Sequence, residues 1–124
     1  MVTEYPVGID DVPEGTCRIV SVAGREIGIF KINGSYFALA NRCPHQQGPL
    51  CEGLISGTLD YEAVQGGDLA ESGKLVWRHE GEIIACPWHG LEVHVPSGRV
   101  LAWGRRRART YQVKETIDGL VVAI

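Results

Sequence analysis

The sequence predicts an all-β protein, because its apolar residues come in short runs, turn-forming residues separate those runs at close intervals, and glycine is frequent at 16 of 124 residues. Strands at such intervals imply antiparallel sheets packed as a small sandwich or partial barrel. No stretch carries a long 3.6-residue apolar period, although 58–72 has room for a short helix.

Taken in order, residues 17–22 read as a strand, Gly24 permits a turn, and 25–32 read as a second strand rich in isoleucine. Asn33-Gly34 is the strongest hairpin signal, since both central residues of a type I′ turn need positive φ, and it joins that strand to 35–40. After a loop at 41–53 and a less regular stretch to about 73, residues 74–79 and 82–85 read as a hairpin across Glu80-Gly81. Residues 91–95 and 99–103 flank the turn Pro96-Ser97-Gly98. Residues 110–115 alternate in polarity, Asp118-Gly119 turns the chain, and 120–124 close it.

A length of 124 residues predicts a single domain, 1–124, and 44% apolar with 22% charged residues is ordinary for a globular chain. The start Met1-Val2-Thr3-Glu4-Tyr5-Pro6 has no basic segment ahead of an apolar run, and no stretch approaches the roughly 18 apolar residues of a membrane span. A cytoplasmic chain without its own membrane anchor is expected. Four cysteines without a secretion signal point to metal binding or free thiols rather than a disulfide framework. The net charge of -3 is uneven: Glu52 to Glu82 holds seven acidic residues against Lys74 and Arg78, whereas Arg99 to Lys114 holds six basic residues and no acidic one. Such a distribution predicts a dipolar molecule.

Two segments carry chemistry: Cys43-Pro44-His45 and Cys86-Pro87-Trp88-His89. Each offers a thiol and an imidazole in one tight loop, with a proline after the cysteine to restrict the backbone. Thiolate and imidazole bind zinc, copper and iron, so their repetition in two matched loops is a metal signature, which two unrelated cysteines and two ordinary histidines do not explain. Structural zinc takes paired Cys-x2-4-Cys knuckles or His-x3-5-His, and neither occurs here. Cys-x-His followed by Cys-x2-His instead suits two metals.

Here the sequence resembles the Rieske family, in which two cysteines bind one iron of a [2Fe–2S] cluster and two histidines the other. Asn41-Arg42-Cys43-Pro44-His45 with Gly48-Pro49-Leu50 resembles the first cluster loop, Cys86-Pro87-Trp88-His89-Gly90 the second, and Ser97-Gly98-Arg99-Val100-Leu101 the hairpin that follows. The resemblance implies a small antiparallel β-sandwich with a cluster-binding subdomain formed by two loops. It also implies that Cys43 and Cys86 ligate one iron and that His45 and His89 ligate the second. Two departures stand out. Forty residues separate His45 from Cys86, so residues from about 54 to 79 read as an insertion between the loops. Gly48 and Trp88 stand where membrane-complex Rieske proteins carry two further, disulfide-bonded cysteines, which places this chain with the soluble ferredoxin branch. High-potential members also carry a serine just after the His-Gly pair and a tyrosine two positions later, whose hydroxyls bond to cluster sulfurs. Leu91 and Val93 hold those places here, implying a potential in the lower part of the range.

Cys17, in an apolar strand pattern, reads as a small buried hydrophobe, and Cys51 has no assigned role. His79 and His94 match no ligand position. Arg105-Arg106-Arg107 follows the cluster hairpin and offers either a solvated face or a docking site for an acidic partner. The resemblance implies an electron carrier, itself not an enzyme, that takes electrons from a reductase and passes them to a terminal oxygenase. No small-molecule substrate, nucleic acid or membrane partner is expected, and residues 24–28 hold no dinucleotide fingerprint. The alternatives are the small subunit of an assimilatory nitrite reductase, an iron or redox sensor, and a zinc-stabilised binding module.

Overall fold

The computed structural model describes residues 2–63, 73–102 and 105–124. Its strands, in chain order, are β1 Glu4–Pro6, β2 Cys17–Val22, β3 Arg25–Ile32, β4 Ser35–Ala40, β5 Leu54–Ala63, β6 Gly73–Ala85, β7 Glu92–His94, β8 Arg99–Val100, β9 Thr110–Thr116 and β10 Gly119–Ala123. They form two antiparallel sheets, one ordered β1-β10-β9-β4-β3-β2 and the other β5-β6-β7-β8. A short 3₁₀ turn, Leu50–Glu52, precedes β5. Among the described residues, no helix is long and apolar enough to cross a membrane.

The isoleucine-rich run becomes β3 because it can bury both faces. Phe30 and Ile32 point with Leu39 into the core between the sheets, where Ile84, Val93 and Val100 meet them. Ile27 and Ile29 point the other way, onto Val12, Ala38, Leu120 and Val122. Near-continuous apolarity is what a strand covered on both sides requires. Gly28 lies between them because a Cβ there would sit 2.5 Å from the Cys51 sulfur and 2.9 Å from that of Cys17. Cys51 is buried, and the adjoining Cys17 thiol together with that burial holds the Cys51 thiol well above the ordinary cysteine range. Cys51 Sγ faces the carbonyls of Leu39 and Ala40 at 3.7 and 3.8 Å.

The Asn33-Gly34 turn forms as expected, with φ of 52° and 80° and Ile32 paired with Ser35. Glu14 accepts hydrogen bonds from both turn amides at 2.8 Å.

The reading of 74–79 and 82–85 as a hairpin is corrected. Both belong to β6, and Glu80-Gly81 lies in a bulge: Ser56 pairs with Ile83 and Thr58 with Arg78, so His79 to Glu82 stand opposite Gly57 alone. The left-handed backbone at His79 (φ 56°) and Gly81 (φ 80°) was a true local turn signal, but the chain rejoins the same partner strand. The short helix allowed at 58–72 is also corrected over its described part, since 58–63 lies in β5; residues 64–72 lie outside the described residues. β5 forms through its register with β6, and Thr58 Oγ1 donates to Glu92 Oε1 at 2.7 Å to tie it to β7. The strand expected at 99–103 shortens to β8, Arg99–Val100: Leu101 N–H still donates to Glu92 of β7, while Val100 N–H donates to Arg106 on the other side. Residues 103 and 104 lie outside the described residues.

Candidate metal centre

Two loops converge at one end of the inter-sheet core. The first leaves β4 and carries Cys43 and His45; the second joins β6 to β7 and carries Cys86 and His89. Their backbones share one hydrogen-bond frame. Cys43 N–H donates to Gly48 C=O and Gln47 N–H to Cys43 C=O, both at 2.8 Å. Cys86 N–H donates to Leu91 C=O at 2.9 Å and Gly90 N–H to Cys86 C=O at 2.8 Å. The fifth residue of each loop, counting from its cysteine, is left-handed: Gln47 at φ 61° and Gly90 at φ 72°. The repeated Cys-Pro therefore encodes a repeated loop, although histidine comes two residues after cysteine in one and three in the other.

The four side chains predicted from sequence come together in two layers. Cys43 and Cys86 are each 2% exposed and join the inter-sheet core. His45 and His89 are exposed, with ring centroids 4.9 Å apart and planes at 88°. Burial pushes the Cys43 thiol up, the amides of His45 and Gln46 pull the other way, and the Cys86 thiol beside it adds to the rise. A sulfur whose charged form burial opposes, as at Cys43, calls for a cationic centre beside it, and amides aimed at that sulfur suit a thiolate. Two inner sulfurs and two outer nitrogens thus fit a pair of metals with two protein ligands each.

The neighbouring residues brace the loops. Asn41 Oδ1 accepts from Cys51 N–H at 2.8 Å, while its Nδ2 donates to Glu26 Oε1 at 3.0 Å. Arg106 Nη1 donates to the Pro44 carbonyl at 2.9 Å, and Arg107 Nη1 to that of Ser97 at 3.1 Å. Gly48 and Trp88, read as replacing a disulfide, do meet: a Cβ on Gly48 would lie 2.8 Å from indole Cδ2. A ring stacked on a bare Cα links the two loops there. Among the described residues Cys17, Cys43, Cys51 and Cys86 form no disulfide.

This arrangement defines a two-sheet β-protein in which two Cys/His loops converge on a candidate metal centre. The chain belongs to the Rieske [2Fe–2S] domain family, whose sequence profile matches residues 5–114, and its cofactor is a Rieske-type [2Fe–2S] cluster. It is 28% identical over 119 residues to the ferredoxin component of a naphthalene 1,2-dioxygenase system from Pseudomonas aeruginosa, covering 95% of this chain and 89% of that one. In structure it is similar to the ferredoxin of carbazole 1,9a-dioxygenase from Nocardioides aromaticivorans IC177, with a TM-score of 0.67, 21% identity and coverage of 97% and 96%. A protein described as a nitrite reductase NADPH small subunit shares the fold, with a TM-score of 0.67, 17% identity and 97% coverage of both chains.

Proposed function

We propose that Cys43 and Cys86 hold one iron and His45 and His89 the other, and that the chain is a cytoplasmic one-electron carrier taking electrons from a reductase and delivering them to a terminal ring-hydroxylating oxygenase. The observation that carries this reading is the layering of the site, in which buried thiols anchor the centre and exposed imidazoles reach the surface. When bound, the cluster supplies reversible one-electron chemistry. Cys43 and Cys86 would hold it against the inter-sheet core, and His45 and His89 would hold its solvent side, where a docked partner comes nearest. The ferredoxin components among its relatives support the same role. The nitrite reductase reading shares only the fold. The whole chain reads as one domain with residues from about 54 to 79 inserted between the loops. In support, among the described residues that part of β6 pairs with β5 alone, from Thr58↔Arg78 to Ala63↔Gly73, while β7 pairs with Ile83 to Ala85.

A test is to mix reduced protein with a ring-hydroxylating oxygenase component and follow oxidation by stopped flow. One electron per chain is expected to pass, and a chain that stays reduced contradicts the reading. A groove beside the first loop is lined by Arg25, Arg42, Arg107 and Arg109, with Glu26 among them, next to Cys43 and Pro44, and Arg105 to Arg107 are exposed. If this side docks an acidic partner, Arg105→Gln together with Arg109→Gln slows transfer on the order of 10-fold at low salt and flattens its salt dependence. Arg106 and Arg107 also hold backbone carbonyls, so changing them mixes docking with loop support. Unaltered low-salt rates identify Arg105 and Arg109 as part of a solvated face.

The potential is expected in the lower part of the Rieske range of roughly -150 to +300 mV. Val93 is fully buried and Leu91 packs against the core, and neither has a hydroxyl to offer a cluster sulfur. Leu91→Ser is expected to raise the potential by roughly 60 mV. The figure takes about 1.5 kcal/mol for a bond to a charged group and about 59 mV per 1.4 kcal/mol for one electron. Protein-film voltammetry reads this directly, and a parent midpoint near the top of the range contradicts it.

A further inference from the structure

We propose that His79, Glu82 and His94 form a second, mononuclear site for a divalent cation of the zinc class, separate from the iron–sulfur centre. His79 and Glu82 lie in the bulge of β6, and His94 lies on β7, paired with Ile83. One nitrogen of each histidine and one carboxylate oxygen lie within 4.8 Å of one another. His94 Nε2 is 2.7 Å and His79 Nδ1 3.7 Å from the same oxygen, Glu82 Oε1. Bonds of about 2.0–2.1 Å in a tetrahedral site place donors about 3.3 Å apart, so the two contacts to Glu82 need to change by about half an ångström, and the histidine nitrogens start within 4.8 Å of each other. Imidazole nitrogen and carboxylate oxygen suit zinc-class cations, with water completing the shell. Glu82 precedes Cys86 by four residues, about 13 Å at about 3.3 Å per residue, so the two sites share no ligand.

Two further features go beyond a simple His94–Glu82 hydrogen bond. The far nitrogen of His94, Nδ1, is 2.8 Å from Ser97 Oγ, the contact by which an outer hydroxyl fixes a ligating imidazole. In the metal-free pair Nε2–H donates to the Glu82 carboxylate and Nδ1 accepts from the Ser97 hydroxyl; metal binding at Nε2 takes the other tautomer, with the single ring proton exchanged from Nε2 to Nδ1, where it donates to Ser97 Oγ. His79 holds a left-handed φ of 56°, uncommon outside glycine, and the bulge turns its ring to within 4.9 Å of the His94 ring centroid. The three side chains are 46%, 26% and 20% exposed, so an ion has access from solvent.

The experiment uses cluster-loaded protein freed of loose metal by chelating resin, dialysed against Zn²⁺ and analysed for iron, sulfide and zinc, with affinities from titration calorimetry. One zinc beyond the full iron and sulfide content is expected. His94→Ala and Glu82→Gln should weaken binding at least about 100-fold and Ser97→Ala about 10-fold. His79→Asn, which keeps a residue tolerant of positive φ, should also weaken it. Iron, sulfide and visible spectrum must be retained in every variant, which separates loss of the site from loss of the fold. No added zinc, zinc taken up at the expense of iron, or affinity unchanged in His94→Ala would overturn the proposal.

Discussion

Replacing Cys43 or Cys86 with serine is expected to remove the cluster, taking iron from two per chain to near zero. Each thiol is buried in the inter-sheet core, and the two adjoin. No other cysteine stands ready to substitute, because Cys17 and Cys51 lie over Gly28 on β3, where they pack the strand. Cys17→Ser and Cys51→Ser are therefore expected to retain the visible spectrum. His45→Ala and His89→Ala open one metal position to water, since both rings are already at the surface, and should abolish or severely disturb the cluster. Iron and sulfide analysis of the six variants checks this, and full sulfide in Cys86→Ser contradicts it.

Gly53→Ala is expected to be nearly as damaging, although residue 53 is no ligand. Its backbone is ordinary (φ -75°, ψ -178°), so any objection to a side chain is steric. An added Cβ would lie 1.8 Å from the Ala85 carbonyl oxygen and 2.8 Å from its carbon. Residue 53 ends the first loop and Ala85 immediately precedes Cys86, and Leu54 pairs with Ala85 where the two strands meet. A methyl group there drives the loops apart. Overpacking costs roughly 1–3 kcal/mol where side chains yield, and more where the obstacle is backbone. A fall in melting temperature on the order of 10 °C with poor cluster loading is expected. Gly81→Ala is the contrast: nothing lies within 4 Å of its Cβ, but φ is +80°. It should cost about 1 kcal/mol and keep the cluster. Equal loading in both variants contradicts the argument.

Features that depend on neighbours in sequence were legible in it. The Cys-Pro loops were readable because ligand chemistry and spacing are local, and Asn33-Gly34 because positive φ is a property of those two residues. β3 was readable from its isoleucines, but the division of Ile27 and Ile29 from Phe30 and Ile32 between two cores needed both sheets. What long-range pairing decides was not readable. β1 is three residues held by β10, and nothing in Glu4-Tyr5-Pro6 announces it. Glu80-Gly81 signals a turn, yet only the register with β5 makes it a bulge in one strand. His79 and His94 are 15 residues apart in unrelated segments, and only the pairing of β6 with β7 brings them together. Gly53 looks like any loop glycine until the Ala85 carbonyl is placed beside it.

The measurement that bears most directly on the two-loop centre is pulsed electron paramagnetic resonance of the reduced protein, with ¹⁵N-histidine labelling to identify nitrogen couplings. Two histidine nitrogens coupled directly to the cluster spin are expected, with His45→Ala and His89→Ala each removing one in whatever cluster survives. A reduced cluster without directly coordinated nitrogen, or purified protein that holds zinc and no sulfide, would contradict it.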